Sequence, residues 1–377
     1  MALVLHPRRG SSLRHSRRAA WGAREMVFFL TTSMAAHQAL GASLEIHPTF
    51  VACLASPTNC TQLDVGSANL TGSIPPSLST LTALKLLDLT SNQLTGPIPS
   101  SLSMLAGLTT LNLNSNALSQ SIPSSLAQLS MLRVVMLFQN KLTGTIPSSM
   151  VQLSSLEYLM LFENRLTGTI PPFSTLPSLS AMDWGHNQLT GTIPPSISQL
   201  TSMWSLDLDY NNLTGSIPST LSEITRLYSL YLGHNQLTGS IPNSLSALTW
   251  LLALNLEYNQ LTGTIPSSLT QLNLLTQLNV QSNPDLCGPL PQGLPVYTSS
   301  PVSDCPPPPS PPLPYPPVTL SPTNAAPAYP PVIVGIDLSS SPDTQLVRST
   351  APSQVKPSNL WDVVVLSTFI FVALDCC

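Results

Sequence analysis

The chain has little charge for its length, and this scarcity excludes several classes of protein. Of its 377 residues, 13 are Lys or Arg and 17 are Asp or Glu, which gives 8% charged residues and a net charge of −4. Soluble globular domains usually carry about 25% charged residues. Without a basic face the chain cannot neutralise nucleic-acid phosphates. It also lacks the charged flanking positions of a coiled coil, and its 42% hydrophobic residues exclude simple disorder.

Motifs of the common catalytic sites are missing from the sequence as well. It contains no GxSxG nucleophile elbow, no HExxH zinc-protease motif, no glycine-rich phosphate loop and no protein-kinase signature. We therefore expect a protein that is not an enzyme and that binds no metal and no cofactor.

Cysteine is absent from the middle of the chain. The six cysteines are Cys53, Cys60, Cys287, Cys305, Cys376 and Cys377. An even number that flanks a cysteine-free body favours disulfides in an oxidising compartment. In such a compartment N-x-[ST] triplets accept glycans, and the sequence has such sites at Asn59, Asn69 and Asn212.

The N-terminal residues have the composition of a targeting segment. The first 24 residues hold six arginines and no acidic residue, and a weakly apolar run with small residues then extends to Ala42. This pattern predicts a signal peptide over residues 1–42. An organelle transit peptide and a true start at Met26 are the alternatives.

The C-terminal part changes composition twice. Residues 289–331 contain 17 prolines, which favour a polyproline II stalk, and we place this Pro-rich disordered stalk at residues 292–360. Residues 361–377 include twelve mostly apolar residues, Val363 to Leu374, fewer than the roughly 20 of a spanning helix. This segment is predicted to be a lipid-anchor signal or a truncated membrane segment, and a wrongly assigned end of the coding sequence is the alternative, since Asp375 and two cysteines follow the apolar residues.

A repeat of about 24 residues fills residues 63–291. Its anchoring asparagines are separated by seven spacings of 24 and one of 23, and Ala68 stands at an earlier equivalent position, so the chain has about ten repeats. A fixed period of this length is typical of a solenoid. The asparagines are Asn92, Asn116, Asn140, Asn164, Asn187, Asn211, Asn235, Asn259 and Asn283.

Each unit combines a strand pattern with a turn. Leu87 and Leu89 alternate with polar residues, which predicts a half-buried strand, and stacked units would form a parallel sheet. The amide of each Asn can satisfy backbone groups that leave the sheet, so the asparagines should form a structural ladder. A Gly-x-Ile-Pro segment and leucines three residues apart then predict a short helical turn. Gln120 replaces the glycine in one unit, where we expect a distorted loop.

These units resemble the plant-type leucine-rich repeat, LxxLxLxxNxLTGxIPxxLxxL, nearly position by position over about 230 residues. The resemblance implies an α/β solenoid, a leucine-rich repeat superhelix with a parallel β-sheet on its concave face. The family includes ectodomains of receptor-like kinases and receptor-like proteins, polygalacturonase inhibitors and wall proteins with extensin-like tails. Membership implies non-catalytic binding of a protein, peptide or glycan on the concave face.

The family's terminal caps are matched less closely. An N-terminal cap is expected at residues 43–62, where Cys53 and Cys60 have the family's spacing although its usual Trp is missing. By analogy with the family, Cys53 pairs with Cys60, and Cys287 pairs with Cys305, which follows at a longer distance than usual.

Aromatic and acidic residues take the concave positions of repeats three to eight. Such residues are enriched at interfaces, and a plain scaffold does not require them. Ordinary surface filler is the alternative. The predicted ligand-binding residues are Phe138, Tyr158, Phe162, Asp183, Trp204, Asp207, Asp209, Tyr210, Tyr228, Tyr231 and Tyr258.

Three of these residues are acidic and should lie close together. Asp183 and Asp207 share a column on neighbouring strands, with Asp209 beside them, and like charges directly opposite each other are destabilising. Three carboxylates are too few for calcium, so a basic peptide is favoured over a cation as the ligand, and an unoccupied acidic surface is favoured over both. His186 and His234 share another column two repeats apart, too far for one zinc ion, and a pH-responsive role is a further hypothesis for them.

We predict a secreted or extracellular recognition protein, located in the cell wall or at the outer face of the plasma membrane. Its partner would be a protein, peptide or glycan, and a co-receptor kinase would be needed for signalling. A structural wall-associated glycoprotein and an inhibitor of a secreted wall-degrading hydrolase are the alternative functions. The alternative location is an organelle.

Overall fold

Each unit of the repeat contributes one strand to each of two layers of parallel strands, and a short turn returns the chain to the next unit. The structure is a computed structural model, and it describes residues 41–297. The predicted stalk from residue 298 onward, the C-terminal segment, residues 1–40 of the targeting segment, and Cys305, Cys376 and Cys377 lie outside the described residues.

In chain order, the described strands are β1 (Gln62–Asp64), β2 (Thr71–Ser73), β3 (Leu86–Asp88), β4 (Gln93–Gly96), β5 (Thr110–Asn112), β6 (Ala117–Gln120), β7 (Val134–Met136), β8 (Lys141–Leu142), β9 (Tyr158–Met160), β10 (Thr167–Thr169), β11 (Ala181–Asp183), β12 (Gln188–Gly191), β13 (Ser205–Asp207), β14 (Asn212–Ser216), β15 (Ser229–Tyr231), β16 (Gln236–Ser240), β17 (Ala253–Asn255), β18 (Gln260–Gly263), β19 (Gln277–Asn279), β20 (Asp285–Leu286) and β21 (Val296–Tyr297).

The odd-numbered strands form the concave sheet, and the even-numbered strands form the flank layer. Within residues 41–297 the concave sheet has 11 parallel strands in sequence order. The flank layer divides into a four-stranded sheet, β2 to β8, and a six-stranded sheet, β10 to β20. This topology confirms the predicted solenoid with a parallel sheet on its concave face.

Short helices make up the convex side, as the leucine spacing predicts. One α-helix, α1 (Pro48–Ala55), precedes the first strand. The 3-10 helices of the described chain are Leu44–Ile46, Pro76–Thr80, Ser100–Met104, Ser124–Gln128, Ser148–Gln152, Pro195–Gln199, Ser219–Glu223, Asn243–Ala247 and Ser267–Gln271.

The core is a continuous column of leucines enclosed by these layers. In the unit containing β3, Leu87 and Leu89 are fully buried, while Asp88 between them is partly exposed on the opposite side of the sheet. This alternation follows from the two-residue period of a strand. Burial of each such leucine contributes about 1.5–3 kcal/mol, so the repeated core is the main source of stability.

The asparagines form a hydrogen-bonded ladder that joins successive units. The side-chain nitrogen of Asn140 donates to the carbonyl oxygens of Leu113 (3.0 Å), Leu137 (3.1 Å) and Phe138 (3.2 Å). Its Oδ1 accepts from the backbone N–H of Leu118 at 2.9 Å. Since one amide serves two adjacent units, each Asn satisfies backbone groups that would otherwise be buried without partners.

One unit departs from the common pattern. In the part of the chain that the structure describes, the segment between β10 and β11, which is one residue short, has no 3-10 helix. Phe173 from this segment is buried and packs edge to face against Trp184, with ring centroids 5.4 Å apart. Trp184 replaces a core leucine after β11 and is also fully buried.

The substitution at Gln120 does not break the loop. Gln120 adopts a left-handed φ of 66°, close to the 76° of Gly96 and the 75° of Gly144 at the same position of neighbouring units. A side chain in this region is strained, since Cβ crowds the following carbonyl. The expected distortion is therefore absent, and β6 still pairs with β8.

Disulfides lie at both ends of the described chain. Cys53, on α1, is bonded to Cys60, with Cα atoms 5.2 Å apart. Phe50 on the same helix is fully buried, so α1 covers the end of the leucine column. Cys287 is also disulfide-bonded.

Candidate ligand-binding face

The candidate site lies on the concave sheet between β9 and β17. Its side chains come from positions between the buried core residues and from the second and third residues after each strand. Because the strands pair in register, equivalent positions of successive units form columns that run across the sheet. Neighbouring side chains in a column therefore lie about 4.8 Å apart.

Asp183, Asp207 and Asp209 form the carboxylate cluster. Asp183 and Asp207 are direct register partners on β11 and β13. Their Oδ1 atoms accept hydrogen bonds from the backbone N–H groups of Gly185 (3.1 Å) and Asp209 (2.9 Å), respectively. Asp209 accepts from the side chain of Asn255 at 3.0 Å. These bonds fix the orientation of all three carboxylates.

The surroundings of the carboxylate cluster favour the protonated form of its three carboxyl groups. Burial, followed by the charge of Asp207, raises the pKa of Asp183 well above its usual value. Burial raises the pKa of Asp207 to about 6, against the effect of the hydrogen bond from Asp209. Burial and the charge of Asp207 raise the pKa of Asp209 to about 8. Both causes disfavour the charged form, as expected for like charges in a poorly solvated site.

No Lys, Arg or His pairs with the carboxylate cluster among residues 41–297. The ion pairs found there are Arg133 with Glu157 and His234 with Glu257. No group of His, Cys, Asp or Glu in this part of the chain is arranged to hold a metal ion. Within the described part of the chain, the cluster is thus an acidic site without a counter-ion.

Two glycines leave the carboxylate cluster open. Gly185 and Gly233 occupy the column that contains Asp209, and neither brings a side chain to the face. A Cβ at Gly185 would lie 3.1 Å from Asp207 Oδ1, and one at Gly233 would lie 3.2 Å from Asp209 Oδ1. A larger residue at either position would therefore crowd a carboxylate.

A stack of four rings, the ring ladder, borders the carboxylate cluster at the C-terminal ends of the strands. Ring centroids are 4.1 Å apart for His186 and Tyr210, 3.8 Å for Tyr210 and His234, and 4.2 Å for His234 and Tyr258. All four residues have left-handed φ values of 48–53°, which repeat at the residue before each ladder Asn. The repeat geometry thus imposes the stacking.

The ring ladder also responds to its charged surroundings. His234 Nε2 lies 3.6 Å from Glu257 Oε1, but burial outweighs this carboxylate and lowers the pKa of His234. Burial raises the pKa of Tyr210, and Glu257 and Asp209 add to the increase. Both rings are therefore favoured in their neutral forms.

An apolar wall lies at the opposite, N-terminal edge of the strands. It consists of Trp204, Tyr228 and Leu252, which precede β13, β15 and β17. Tyr228 is 38% and Leu252 is 40% exposed, and the neighbouring Trp250 is 51% exposed. The rings of Tyr228 and Trp250 are 5.8 Å apart.

The remaining predicted site residues lie around this centre. Tyr231 is the register partner of Asp207, and burial together with Asp207 raises its pKa. Phe138 and Phe162 are stacked with centroids 4.3 Å apart, and they lie three and two units before Asp209, respectively. Tyr158 is on β9, in register with Ala181. The structure therefore gathers eight residues between β11 and β17 and puts Phe138, Tyr158 and Phe162 at one side.

Sequence reasoning overlooked several members of the face. Trp250 lies in the turn before β17, outside the strand positions of the repeat, and only its size could have marked it. Asn255 was overlooked because an amide in an Asn-rich chain is inconspicuous. Gly185 and Gly233 carry no side chain, so only their departure from the column's other residues identifies them.

The candidate glycosylation sites are distributed away from the carboxylate cluster. Asn59 is exposed in the loop closed by the first disulfide, and Asn212 is exposed at the start of β14 in the flank layer. Asn69 is half-buried with a φ of 55°, and its side-chain oxygen accepts a hydrogen bond from Gln93.

Within residues 41–297 no helix has the length and apolar character needed to cross a bilayer.

Known proteins with similar sequence or structure identify the repeat. A leucine-rich repeat family model matches residues 225–284, and a second one matches residues 83–105, 107–129, 178–200 and 202–224. No curated protein sequence matches the chain significantly.

Solved structures extend this similarity. The ectodomain of the Arabidopsis thaliana receptor kinase GASSHO1/SCHENGEN3 is 39% identical over 59% of this chain and 27% of its own, with a TM-score of 0.58. The plant peptide hormone receptor RGFR1 is 32% identical over 67% and 46%, with a TM-score of 0.60. A plant ice-binding protein is 32% identical over 65% and 82%, with a TM-score of 0.55.

The parallel sheet, the asparagine ladder and these matches define a leucine-rich repeat protein. More closely, the chain belongs to the plant-type leucine-rich repeat proteins, whose receptor ectodomains share its fold. It spans less than half of the length of the two receptor chains described above.

Proposed function

We propose that this chain is a non-catalytic extracellular recognition protein that binds a peptide, or a peptide segment of a protein, on the concave face between β9 and β17. The observation that carries the proposal is the carboxylate cluster, which has no counter-ion among residues 41–297 and adjoins exposed aromatic side chains. RGFR1 and GASSHO1/SCHENGEN3 are described in complex with RGF2 and with Casparian strip integrity factor 2. These relatives support a peptide rather than a glycan as the ligand.

Electrostatics favours a basic ligand at this face. The carboxylate cluster is destabilised by burial and mutual repulsion, so a Lys or Arg side chain from a partner would offset both costs. Asp207 and Asp209 would release protons as the cation binds, because an opposite charge lowers a carboxyl pKa. Exposed Trp and Tyr side chains would supply the apolar contacts that dominate binding energy at interfaces.

The proposal places the protein outside the cell, in the wall or at the outer face of the plasma membrane. Disulfides at both ends of the solenoid and exposed glycan acceptors suit that compartment. We propose a co-receptor kinase as the partner through which the protein signals.

Two matched double variants test the proposed face. Asp183→Asn/Asp207→Asn removes a register-paired set of charges inside the face, and Asp64→Asn/Asp88→Asn removes an equivalent pair at β1 and β3. Partners are captured from an extracellular extract with the full chain and identified by mass spectrometry. We expect the first variant to lose a partner that wild type and the second variant retain. Equal capture by all three contradicts the proposal.

We propose ice binding as a second candidate function, supported by the flank layer. The plant ice-binding protein is the described neighbour whose own length this chain covers most fully. The flank strands expose one threonine per unit, without charge beside them from β12 to β18, in a column with a spacing of about 4.8 Å. The threonines are Thr190, Thr214, Thr238 and Thr262.

An ice recrystallisation assay tests this second candidate. The full chain should slow recrystallisation, and Thr238→Tyr on β16 should abolish the effect, because a bulky ring interrupts the flat hydroxyl array. Ser267→Tyr on the convex side serves as the control and should behave like wild type. Absence of any effect from wild type rejects the candidate.

A further inference from the structure

Four small side chains form a continuous floor on the concave face. Ala181, Ser205, Ser229 and Ala253 are register partners on β11, β13, β15 and β17. Ser205 and Ser229 bond to each other through their hydroxyls at 2.8 Å. Tyr158 occupies the same column on β9, and Gln277 occupies it on β19. The small residues thus extend over four strands between two larger ones.

The two sides of this floor carry side chains of different chemistry, apolar on one side and acidic on the other. The apolar wall, Trp204, Tyr228 and Leu252, precedes the floor residues along the chain. Asp183 and Asp207 follow two residues after Ala181 and Ser205. The floor and these two sides make a channel that runs across the strands, apolar on one side and acidic on the other.

The dimensions of the channel suit an extended chain. Four strands are separated by three spacings of about 4.8 Å, which gives a length of about 14 Å. An extended peptide rises about 3.3 Å per residue, so four or five residues fit. Trp204 and Asp207 are three residues apart along one strand, about 10 Å. Because both side chains occupy part of that width, a helix about 10–12 Å across does not fit.

We infer that this channel binds an extended peptide segment in which apolar side chains alternate with a basic side chain. The inference rests on the proposed function and specifies its ligand. Successive side chains of an extended chain point to opposite sides. One set would therefore contact the apolar wall, while the residue between them would face the acidic side.

The arrangement of charges also fixes where the basic residue lies. Asp183 and Asp207 are on β11 and β13, whereas Tyr231 and Asn255 occupy the same column on β15 and β17. The basic side chain is therefore at the β11 end of the channel. The apolar side chains contact the wall from β13 to β17, on the other side of the ligand backbone.

A random hexapeptide library selected on the full-length chain tests the channel. We expect enrichment of peptides that alternate apolar residues with Lys or Arg. Ser229→Trp fills the floor and should weaken the enriched peptides about tenfold or more, while Ser267→Trp on the convex side should leave their affinity unchanged. Asp207→Asn should keep the apolar preference and lose the preference for a basic residue.

Three results would overturn the inference. The first is a set of enriched peptides in which apolar and basic residues do not alternate, and the second is equal binding of the enriched peptides by Ser229→Trp and wild type. The third is a library that yields no binder. The proposed function is judged separately, by partner capture with the paired aspartate variants, so peptide recognition elsewhere on the face would remain visible there.

Discussion

At the scale of single residues, the ladder asparagines explain why the sequence repeats so strictly. Each amide nitrogen donates to carbonyls of two adjacent units, and each amide oxygen accepts from a buried backbone N–H. Neither Asp nor Ala can do both, since Asp has no donor when ionised and Ala has no polar group. One residue type is therefore required at one position of every complete unit.

The first prediction concerns this ladder. Asn140→Ala should lower the free energy of unfolding by about 1–3 kcal/mol, because it leaves buried carbonyls and one N–H without partners. Urea denaturation of the full chain measures the change. Asn243→Ala, at an exposed position of a convex 3-10 helix, should alter stability by no more than about 0.5 kcal/mol. Equal effects of the two substitutions would contradict the role of the ladder.

The carboxylate cluster predicts an unusual dependence of stability on pH. Burial and the charge of Asp207 raise the pKa of Asp209 from 3.8 to about 8, so between these values the native state holds a proton that the unfolded chain has released. The free energy of unfolding should therefore fall as pH rises from about 4 to about 8.

Asp209→Asn is the variant that tests this dependence. It removes the titrating group, so its free energy of unfolding should fall less than that of wild type as the pH rises. The free energy of unfolding of the variant minus that of wild type should therefore be more positive at pH 8 than at pH 4. Thermal unfolding of both proteins across this range gives the comparison. A wild-type stability that rises over the interval would show that the carboxylates are solvated.

At the scale of structural elements, one irregular unit shows how packing overrides the repeat. The unit that lacks a convex 3-10 helix in the described chain brings Phe173 into the core, where it meets Trp184. Trp184 is larger than the leucine found at equivalent positions, and its buried Nε1 has no hydrogen-bond partner among residues 41–297. The shorter segment and the larger ring therefore compensate for each other.

This compensation makes Trp184 costly to replace. Trp184→Ala should lower the free energy of unfolding by about 3–5 kcal/mol, as large-to-small core substitutions do. Trp184→Phe should cost less, because it retains most of the ring contact and removes the unpaired N–H. Trp250→Ala, at a tryptophan that is 51% exposed, is the control and should be nearly neutral in the same denaturation experiment.

The regular elements were predictable from sequence, and the irregular ones were not. Alternating leucines such as Leu87 and Leu89 predict the strands, since a two-residue period buries one face. The loss of a 3-10 helix before Trp184 was not predictable, because one missing residue can be absorbed anywhere in a loop. The shared column of His186 and His234 was predictable, but the stacking of the ring ladder was not, because it depends on a left-handed φ at each position, which these residue types do not reveal in sequence.

At the scale of the whole described chain, the surface is uniform except on the concave face. The flank layer repeats Thr and Gly, and the convex helices repeat Ser, as the repeat dictates. Aromatic and acidic side chains concentrate between β9 and β17. The candidate residues were predictable to this extent, whereas their burial, their shared hydrogen bonds and the small floor between them depend on the register of the sheet.

Hydroxyl-radical footprinting of the full chain, with and without the captured partner, tests the central claim most directly. If the concave face binds the partner, oxidation of Trp204, Tyr228 and Tyr231 should fall in the complex. Met104, which is 60% exposed on the convex side, should be oxidised equally in both samples. Protection of Met104 with unchanged oxidation of the three aromatic residues would contradict the account.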